Sequence, residues 1–81
     1  MQAKPLMINK IYVPIKRRST LNQKIVDSLA EAILEEGQKV PIQVRQDGER
    51  LVLIEGLHRL EACRALGENS IMGILVRARL N

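Results

Sequence analysis

The stretch with the clearest potential for chemistry is Glu55-Gly56-Leu57-His58-Arg59, which joins an apolar run to a helical pattern. A histidine can donate a hydrogen bond to a phosphate oxygen, and an arginine guanidinium can donate two parallel ones. The start of a helix adds backbone N–H groups without intrahelical partners and the positive end of the helix dipole. Arg59 is unfavourable there for the helix alone, and Gly56 allows the backbone to approach a ligand closely. The stretch therefore predicts a phosphate-binding strand–turn–helix.

The acidic residue of this stretch, Glu55, has more than one possible role. Its carboxylate could hold a Mg²⁺ ion, act as an acid or base, or pair with Arg59. In a protein without a ligand here, His58 would be a surface residue and Arg59 would pair with Glu55 or Glu61. The sequence indicates no certain metal site and leaves the catalytic residues unknown. Candidates for a catalytic base lie on the first predicted helix: Glu31, Glu35 and Glu36.

The composition indicates one small basic domain. The chain has 81 residues, a formal net charge of +4 and 46% hydrophobic residues, which suffices for one core. Its single aromatic residue, Tyr12, argues against a base-stacking platform for single-stranded nucleic acid. Its single cysteine, Cys63, excludes an intramolecular disulfide and a multi-cysteine zinc site. Without a membrane-spanning run or a signal peptide, we expect a cytoplasmic protein.

Hydrophobic periodicity predicts an α+β domain with a mixed sheet and the element order β-α-β-β-α-β. We expect a single domain over residues 1–81, with residues 1–6 as a loose lead-in. The Asp47-Gly48 pair predicts a hairpin turn between the second and third strands. The strands are predicted over about 8–13, 38–44, 50–54 and 71–76.

Capping signals delimit two predicted helices. The first begins at a capping box formed by Thr20 and Gln23 and ends at Gly37. The second runs from about Leu57 to Leu66. The basic run before the first helix, 16–18, is predicted to be a loop, either solvated or beside the phosphate site or a DNA backbone. The apolar face of the first helix is predicted to contain Leu21, Ile25, Val26, Leu29, Ile33 and Leu34.

Taken together, the segments from Ile8 to Val76 resemble the ParB/sulfiredoxin superfamily. The stretch Gly37-Gln38-Lys39-Val40-Pro41-Ile42-Gln43-Val44 is similar to the "G…PI.V" segment of ParB proteins. The stretch Gly56-Leu57-His58-Arg59-Leu60-Glu61-Ala62 stands where ParB proteins carry G-E-R-R-x-R-A and sulfiredoxins carry G-C-H-R. Together with the helix from Leu21 to Leu29, these stretches make three pieces that occur in the family's order.

This resemblance implies a nucleotide site, because the motif after the glycine binds ATP phosphates in sulfiredoxin and CTP phosphates in ParB. Gly56, His58 and Arg59 match those positions. On the first helix, Ser28 matches a sulfiredoxin serine near the nucleotide, Lys24 is displaced by one position from the family's lysine, and Ala32 replaces a threonine. Gly37 and Gln38 match the ParB segment that lines the nucleoside pocket.

The departures from the family pattern bear on activity. Leu57 occupies the position of the sulfiredoxin nucleophilic cysteine, and Cys63 lies almost two helical turns further on, so we expect no sulfinic-acid reduction. ParB proteins carry an arginine at the position of His58. The pattern Glu55-Gly56-Leu57-His58-Arg59 is also similar to that of free-serine kinases of the same superfamily.

We consider three functions for the chain. It could be a regulatory or DNA-associated module that binds a nucleoside triphosphate, ATP or CTP, with Mg²⁺ as an optional companion and a homodimer as an optional assembly. It could be a Mg²⁺-dependent enzyme, either a phosphotransferase or a ParB-like nuclease, although the sequence has no paired carboxylates at metal-site spacing. Thirdly, the fold could serve as a protein-interaction surface that no longer binds a ligand.

Overall fold

The computed structural model describes residues 2–77 as an α+β domain. A single turn of 3-10 helix, Ile8–Lys10, separates the first two strands. The strands are β1 (Lys4–Met7), β2 (Ile11–Tyr12), β3 (Ile42–Asp47), β4 (Arg50–Glu55) and β5 (Ser70–Leu75). The helices are α1 (Ile15–Arg18), α2 (Gln23–Glu36) and α3 (Leu57–Ala65).

The five strands form one mixed sheet in the order β1-β5-β3-β4-β2. Strands β3 and β4 form the predicted antiparallel hairpin, with Asp47 opposite Arg50 across the turn. Strand β5 lies parallel to β3 and antiparallel to β1, while β2 lies parallel to β4. The predicted mixed α+β sheet is thereby confirmed, with one more strand and one more short helix than the pattern indicated.

One face of the sheet carries the core, because successive side chains of a strand point to opposite faces. Val44 and Leu53 are register partners and are essentially buried. Ile42 is fully buried beside them and packs with Leu60 of α3 in the same core. The next pair, Arg45 and Val52, therefore lies on the opposite face of the sheet.

The prediction that residues 1–6 form a loose lead-in is wrong for its second half. Lys4–Met7 form strand β1, paired with β5, and Leu6 is buried opposite Ile71. A four-residue strand with one buried side chain gives too short an alternation to be recognised. The strand predicted over 8–13 shrinks to Ile11–Tyr12, because Ile8–Lys10 form the 3-10 turn.

The basic run is not a loop as predicted, since Ile15–Arg18 form the short helix α1. Arg18 fixes the helix to the preceding segment, because its Nε donates to the Val13 carbonyl at 3.1 Å. Arg17 is the half-buried member of the run. The basic side chains are thus held at one place on the molecule.

The predicted capping box of the long helix is wrong. The Thr20 hydroxyl donates to the Arg17 carbonyl, and the Gln23 amide donates to Asp27. The N-cap is Asn22, two residues later, whose side-chain oxygen accepts from the N–H groups of Lys24 and Ile25. Gly37 ends the helix at φ 80°, as predicted.

The apolar face of α2 is narrower than predicted. Val26 is buried, while Leu29 and Ile33 are half-buried. Ile25 is 46% exposed and Leu34 is 74% exposed. The later N-cap leaves Leu21 before the helix, and α2 packs mainly against α3, with Ile33 in contact with the core.

Strand β3 begins at Ile42 rather than at residue 38 because a side chain replaces its first backbone positions. The Gln38 amide donates to the Met72 carbonyl at 2.9 Å and accepts from the Met72 N–H at 2.8 Å. This pair of bonds imitates one step of a β-ladder against β5. Val40, which lies before the strand, is 48% exposed.

Candidate functional site

The candidate site lies where β4 ends and α3 begins. Gly56 joins the two elements with φ 108° and serves as the N-cap of α3. A Cβ at this position would lie 2.6 Å from Ile42 Cγ2, so the residue must be glycine both for its backbone conformation and for its close packing. The glycine that the sequence assigned to ligand approach therefore has a structural role in the turn.

The first turn of α3 has uncapped N–H groups. Within residues 2–77, no side chain caps this end of the helix, and no acidic residue lies in its first turn. His58 and Arg59, which the sequence singled out, both belong to this turn and are half-buried. The first turn of α3 thus contains both residues, as the sequence predicted.

The start of α2 meets the start of α3. The backbone N–H of Asn22 donates to His58 Nε2 at 3.0 Å, a contact between residues 36 positions apart in the chain. The positive ends of two helix dipoles therefore lie side by side. Asn22 was not among the predicted site residues, although its preference for N-cap positions is a recognisable signal.

The two acidic residues nearest this junction in the sequence pair with arginines other than Arg59. Glu55 lies 3.8 Å from Arg17, and Glu61 lies 3.4 Å from Arg64. Within residues 2–77, neither acid pairs with Arg59, and Arg59 makes no salt bridge. The structure contradicts the ligand-free alternative in which Arg59 pairs with Glu55 or Glu61.

Lys24 and Ser28 lie on α2 close to this junction. Lys24 is in the first turn of the helix, and Ser28 follows one turn later, about 6 Å along the axis. Both are exposed. Their positions make a surface that continues from the junction along α2.

Gly37 and Gln38 lie at the other end of α2, about 20 Å along the helix from Asn22. Gln38 also uses its amide on the backbone of Met72. The two residues nevertheless lie at the same end of the sheet as Gly56, since Met72 adjoins Gly73, the register partner of Ile42. The structure thus separates them from His58 but keeps them on one edge of the domain.

The residues present do not form a metal centre of their own. Within residues 2–77, no group of three His, Cys, Asp or Glu side chains is placed to hold a metal ion. Glu55, the candidate metal ligand, is 66% exposed at its side chain and lies beside Arg17.

Cys63 is a core residue of α3. It is 3% exposed and belongs to the cluster that contains Leu57 and Leu60. Burial raises the pKa of the Cys63 thiol above its ordinary value, Glu68 adds to this rise, and Arg59 opposes it. A buried, protonated thiol is a poor nucleophile.

An open groove of 440 Å³ lies between α3 and β2. Leu57 and Glu61 of α3 form one wall, and β2 with the segment that follows it forms the other. Neither His58 nor Arg59 lines this groove. The lining residues are Ile11, Tyr12, Val13, Arg18, Leu21, Leu57, Glu61 and Arg64.

Comparison with known proteins identifies a family for this arrangement. Residues 2–80 match the ParB N-terminal domain family. The probable chromosome-partitioning protein ParB of Campylobacter jejuni is 36% identical over 62 residues, which are 76% of this chain and 22% of the relative. The chain therefore spans about a fifth of the length of this curated relative.

Solved structures share the fold over almost the whole chain. Sulfiredoxin from Arabidopsis thaliana superposes with a TM-score of 0.85 and 28% identity, covering 96% of this chain and 88% of sulfiredoxin. A C-terminally truncated ParB from Caulobacter crescentus complexed with CTP-γ-S superposes with a TM-score of 0.83 and 19% identity, covering 98% of this chain and 46% of that ParB. A free serine kinase mutant in complex with ADP superposes with a TM-score of 0.81 and 15% identity, covering 94% of this chain and 31% of the kinase.

None of the helices formed by residues 2–77 has the length and apolar content that a membrane span requires.

Proposed function

The chain belongs to the ParB N-terminal domain family, and we propose that it binds the phosphates of a nucleotide at the first turn of α3. One observation carries this proposal. The uncapped start of α3, with Arg59 free of salt bridges within residues 2–77, adjoins the start of α2 through the 3.0 Å contact between Asn22 and His58. Uncapped N–H groups, helix dipoles and an unpaired guanidinium together favour a bound anion.

The electrostatics of the two helix starts support an anion with more than one negative charge. Each start is equivalent to roughly half a positive charge, and neither first turn contains an acidic residue. Arg59 and Lys24 add two full positive charges. Of the nearby acids, Glu55 and Glu61 already have arginine partners. A di- or triphosphate would offset this excess.

We assign the parts of the nucleotide to different elements. The N–H groups of the α3 turn, with His58 and Arg59, bind the terminal phosphates. Lys24 and Ser28 extend the phosphate contacts along α2. The proposal that Gly37 and Gln38 line the nucleoside pocket requires Gln38 to use its backbone, since its side-chain amide is bonded to Met72.

We propose CTP or ATP as the nucleotide, with Mg²⁺ brought in by the phosphates. Support comes from the likeness of the fold to the ParB complex with CTP-γ-S and to the kinase complex with ADP. The role that fits best is regulatory or DNA-associated, in the cytoplasm, with a homodimer as one possible assembly. The net charge of +4 is compatible with a polyanionic partner.

A phosphotransferase is the second candidate function. The fold likeness to the free serine kinase and the position of Glu55 directly before the phosphate turn favour it. Phosphoryl transfer depends mainly on positioning and charge neutralisation, which this site can supply. The nuclease alternative has weaker support, since the described residues hold no cluster of three potential metal ligands.

An NMR titration tests both candidates. The ¹⁵N-labelled protein is titrated with CTP, ATP, GTP and ADP, each with and without Mg²⁺, and the Gly56–Glu61 amide shifts are followed. Saturable shifts centred on α3 are expected for the binding proposal. Absence of shifts with every nucleotide at millimolar concentration would contradict it.

A ³¹P spectrum of the same samples, with serine added as an acceptor, separates binding from turnover. Retention of the γ-phosphate with saturable amide shifts supports a binding module. Loss of the γ-phosphate with appearance of a phosphoserine signal would replace it with the phosphotransferase. Loss of the γ-phosphate in a control sample that contains no serine would indicate nucleotide hydrolysis.

A further inference from the structure

The contact between Asn22 and His58 completes the N-cap of α2 from another helix. The Asn22 side chain accepts from Lys24 and Ile25, and its carbonyl accepts from Ile25 and Val26. These contacts give the backbone N–H of Asn22 no acceptor. His58 Nε2 accepts it at 3.0 Å.

In a capping box this N–H is accepted by a glutamate or glutamine three residues after the N-cap. In α2 that position is Ile25, which has no acceptor atom. A residue 36 positions away supplies the acceptor instead. The imidazole of His58 thus performs the role of the missing capping-box side chain.

The direction of this hydrogen bond fixes the state of the ring. An N–H donor needs a lone pair at Nε2, so the proton of the neutral ring must be on Nδ1, and an imidazolium could not accept the bond. Within residues 2–77, no protein group hydrogen-bonds to Nδ1. The Nδ1–H is therefore the donor that His58 has available for a ligand.

We propose that His58 is a positioning residue, which caps α2 in its Nδ1–H tautomer and thereby holds the starts of α2 and α3 together. The proposed anion site rests on this junction, because both positive helix ends reach the ligand only while they stay adjacent. In this arrangement the imidazole contributes a neutral donor, and Arg59 and Lys24 supply the full charges. The cap itself needs no ligand.

The first test is the ring ¹⁵N spectrum of the ligand-free wild-type protein near neutral pH. The chain has one histidine, so the two ring signals need no mutants for their assignment. A pyridine-type signal at Nε2 and a pyrrole-type signal at Nδ1 are expected. A pyrrole-type Nε2, or both nitrogens protonated, would overturn the proposal.

The second test compares His58→Gln with His58→Asn. The side-chain oxygen of glutamine can reach the position of Nε2. The asparagine side chain is shorter, so its oxygen reaches only the position of Nδ1. Hydrogen exchange at the Asn22 amide is expected to stay close to the wild-type rate in H58Q and to become about tenfold faster in H58N, the factor for loss of about one hydrogen bond. Equal exchange rates in both variants would contradict the cap.

A titration of wild type, H58Q and H58N with pyrophosphate separates this inference from the proposed function. If the proposal holds, H58Q retains more affinity than H58N. If both variants bind pyrophosphate as tightly as the wild type does, and the wild-type ring is the Nε2–H tautomer, the positioning role is overturned but the anion site is kept. The expected tautomer without any binding would keep the cap and refute the proposed function.

Discussion

Gly56 shows how a residue at the candidate site is fixed by the fold before any ligand binds. Its φ of 108°, and the 2.6 Å that would separate a Cβ from Ile42 Cγ2, leave no room for a side chain. The sequence singled out Gly56 for close approach to a ligand, whereas the structure shows that its backbone conformation and its packing require glycine. The close packing against Ile42 depends on a distant strand, which no local pattern reveals.

We expect Gly56→Ala to lower the free energy of unfolding by at least about 2 kcal/mol, from backbone strain and overpacking together. Gly48→Ala is the matched control, since Gly48 also has a positive φ of 61° but has nothing within 4 Å of a Cβ. Chemical denaturation of both variants separates the two contributions. Equal losses in both would show that packing against Ile42 costs nothing.

Cys63 gives a prediction about chemical reactivity. Its thiol is 3% exposed, and burial raises its pKa, so near neutral pH it holds less thiolate than a free cysteine would. We expect reaction with a thiol-specific disulfide reagent to be slow in the native protein and fast after denaturation. A rise in pH increases the thiolate fraction and should accelerate labelling only in part, because access stays restricted. Fast labelling of the native protein would contradict a core role.

At the scale of elements, the long helix shows what a sequence pattern can and cannot define. Its existence, its end at Gly37 and the buried position of Val26 follow from periodicity and a glycine stop. Its start does not, because Thr20 and Asn22 are both good N-cap residues. The choice between them depends on α3, where His58 accepts the N–H of Asn22.

We expect Asn22→Ala to reduce stability by about 1 kcal/mol, as loss of an N-cap side chain typically does. Thr20→Ala is the control and should cost less, because the Thr20 hydroxyl is exposed and bonds only to the Arg17 carbonyl. Thermal unfolding of both variants measures the difference. A larger loss for Thr20→Ala would restore the capping box that the sequence suggested.

Some of the strands can likewise be predicted from local sequence signals, and others cannot. The β3–β4 hairpin was predictable from Asp47-Gly48, since the turn signal is local. Strand β1 was not, because Lys4–Met7 buries only Leu6 and depends for its pairing on β5, which lies at the far end of the described chain. The substitution of the Gln38 amide for a strand residue also depends on β5, through Met72.

At the scale of the whole molecule, the sheet order brings together parts of the site that are distant in sequence. The α2 start, the α3 start and α1 meet at the end of β4, through Asn22–His58 and Arg17–Glu55. The sequence predicted His58 and Arg59 as a pair because they are adjacent in one motif. It could not predict that Glu55 would be paired with Arg17, which left Arg59 without an acidic partner among residues 2–77.

The central claim is that the α3 start binds nucleotide phosphates through Arg59, and a charge-matched pair of variants tests it most directly. Arg59→Ala and Arg45→Ala each remove one positive charge, but Arg45 lies on the opposite face of the sheet, beside Val52. Isothermal titration with CTP and ATP in the presence of Mg²⁺ measures the affinity of each. We expect R59A to weaken binding at least about tenfold, as loss of a charged hydrogen-bonding group does, and R45A to bind as wild type does. Equal weakening in both variants would indicate attraction by net charge alone and would contradict a phosphate site at α3.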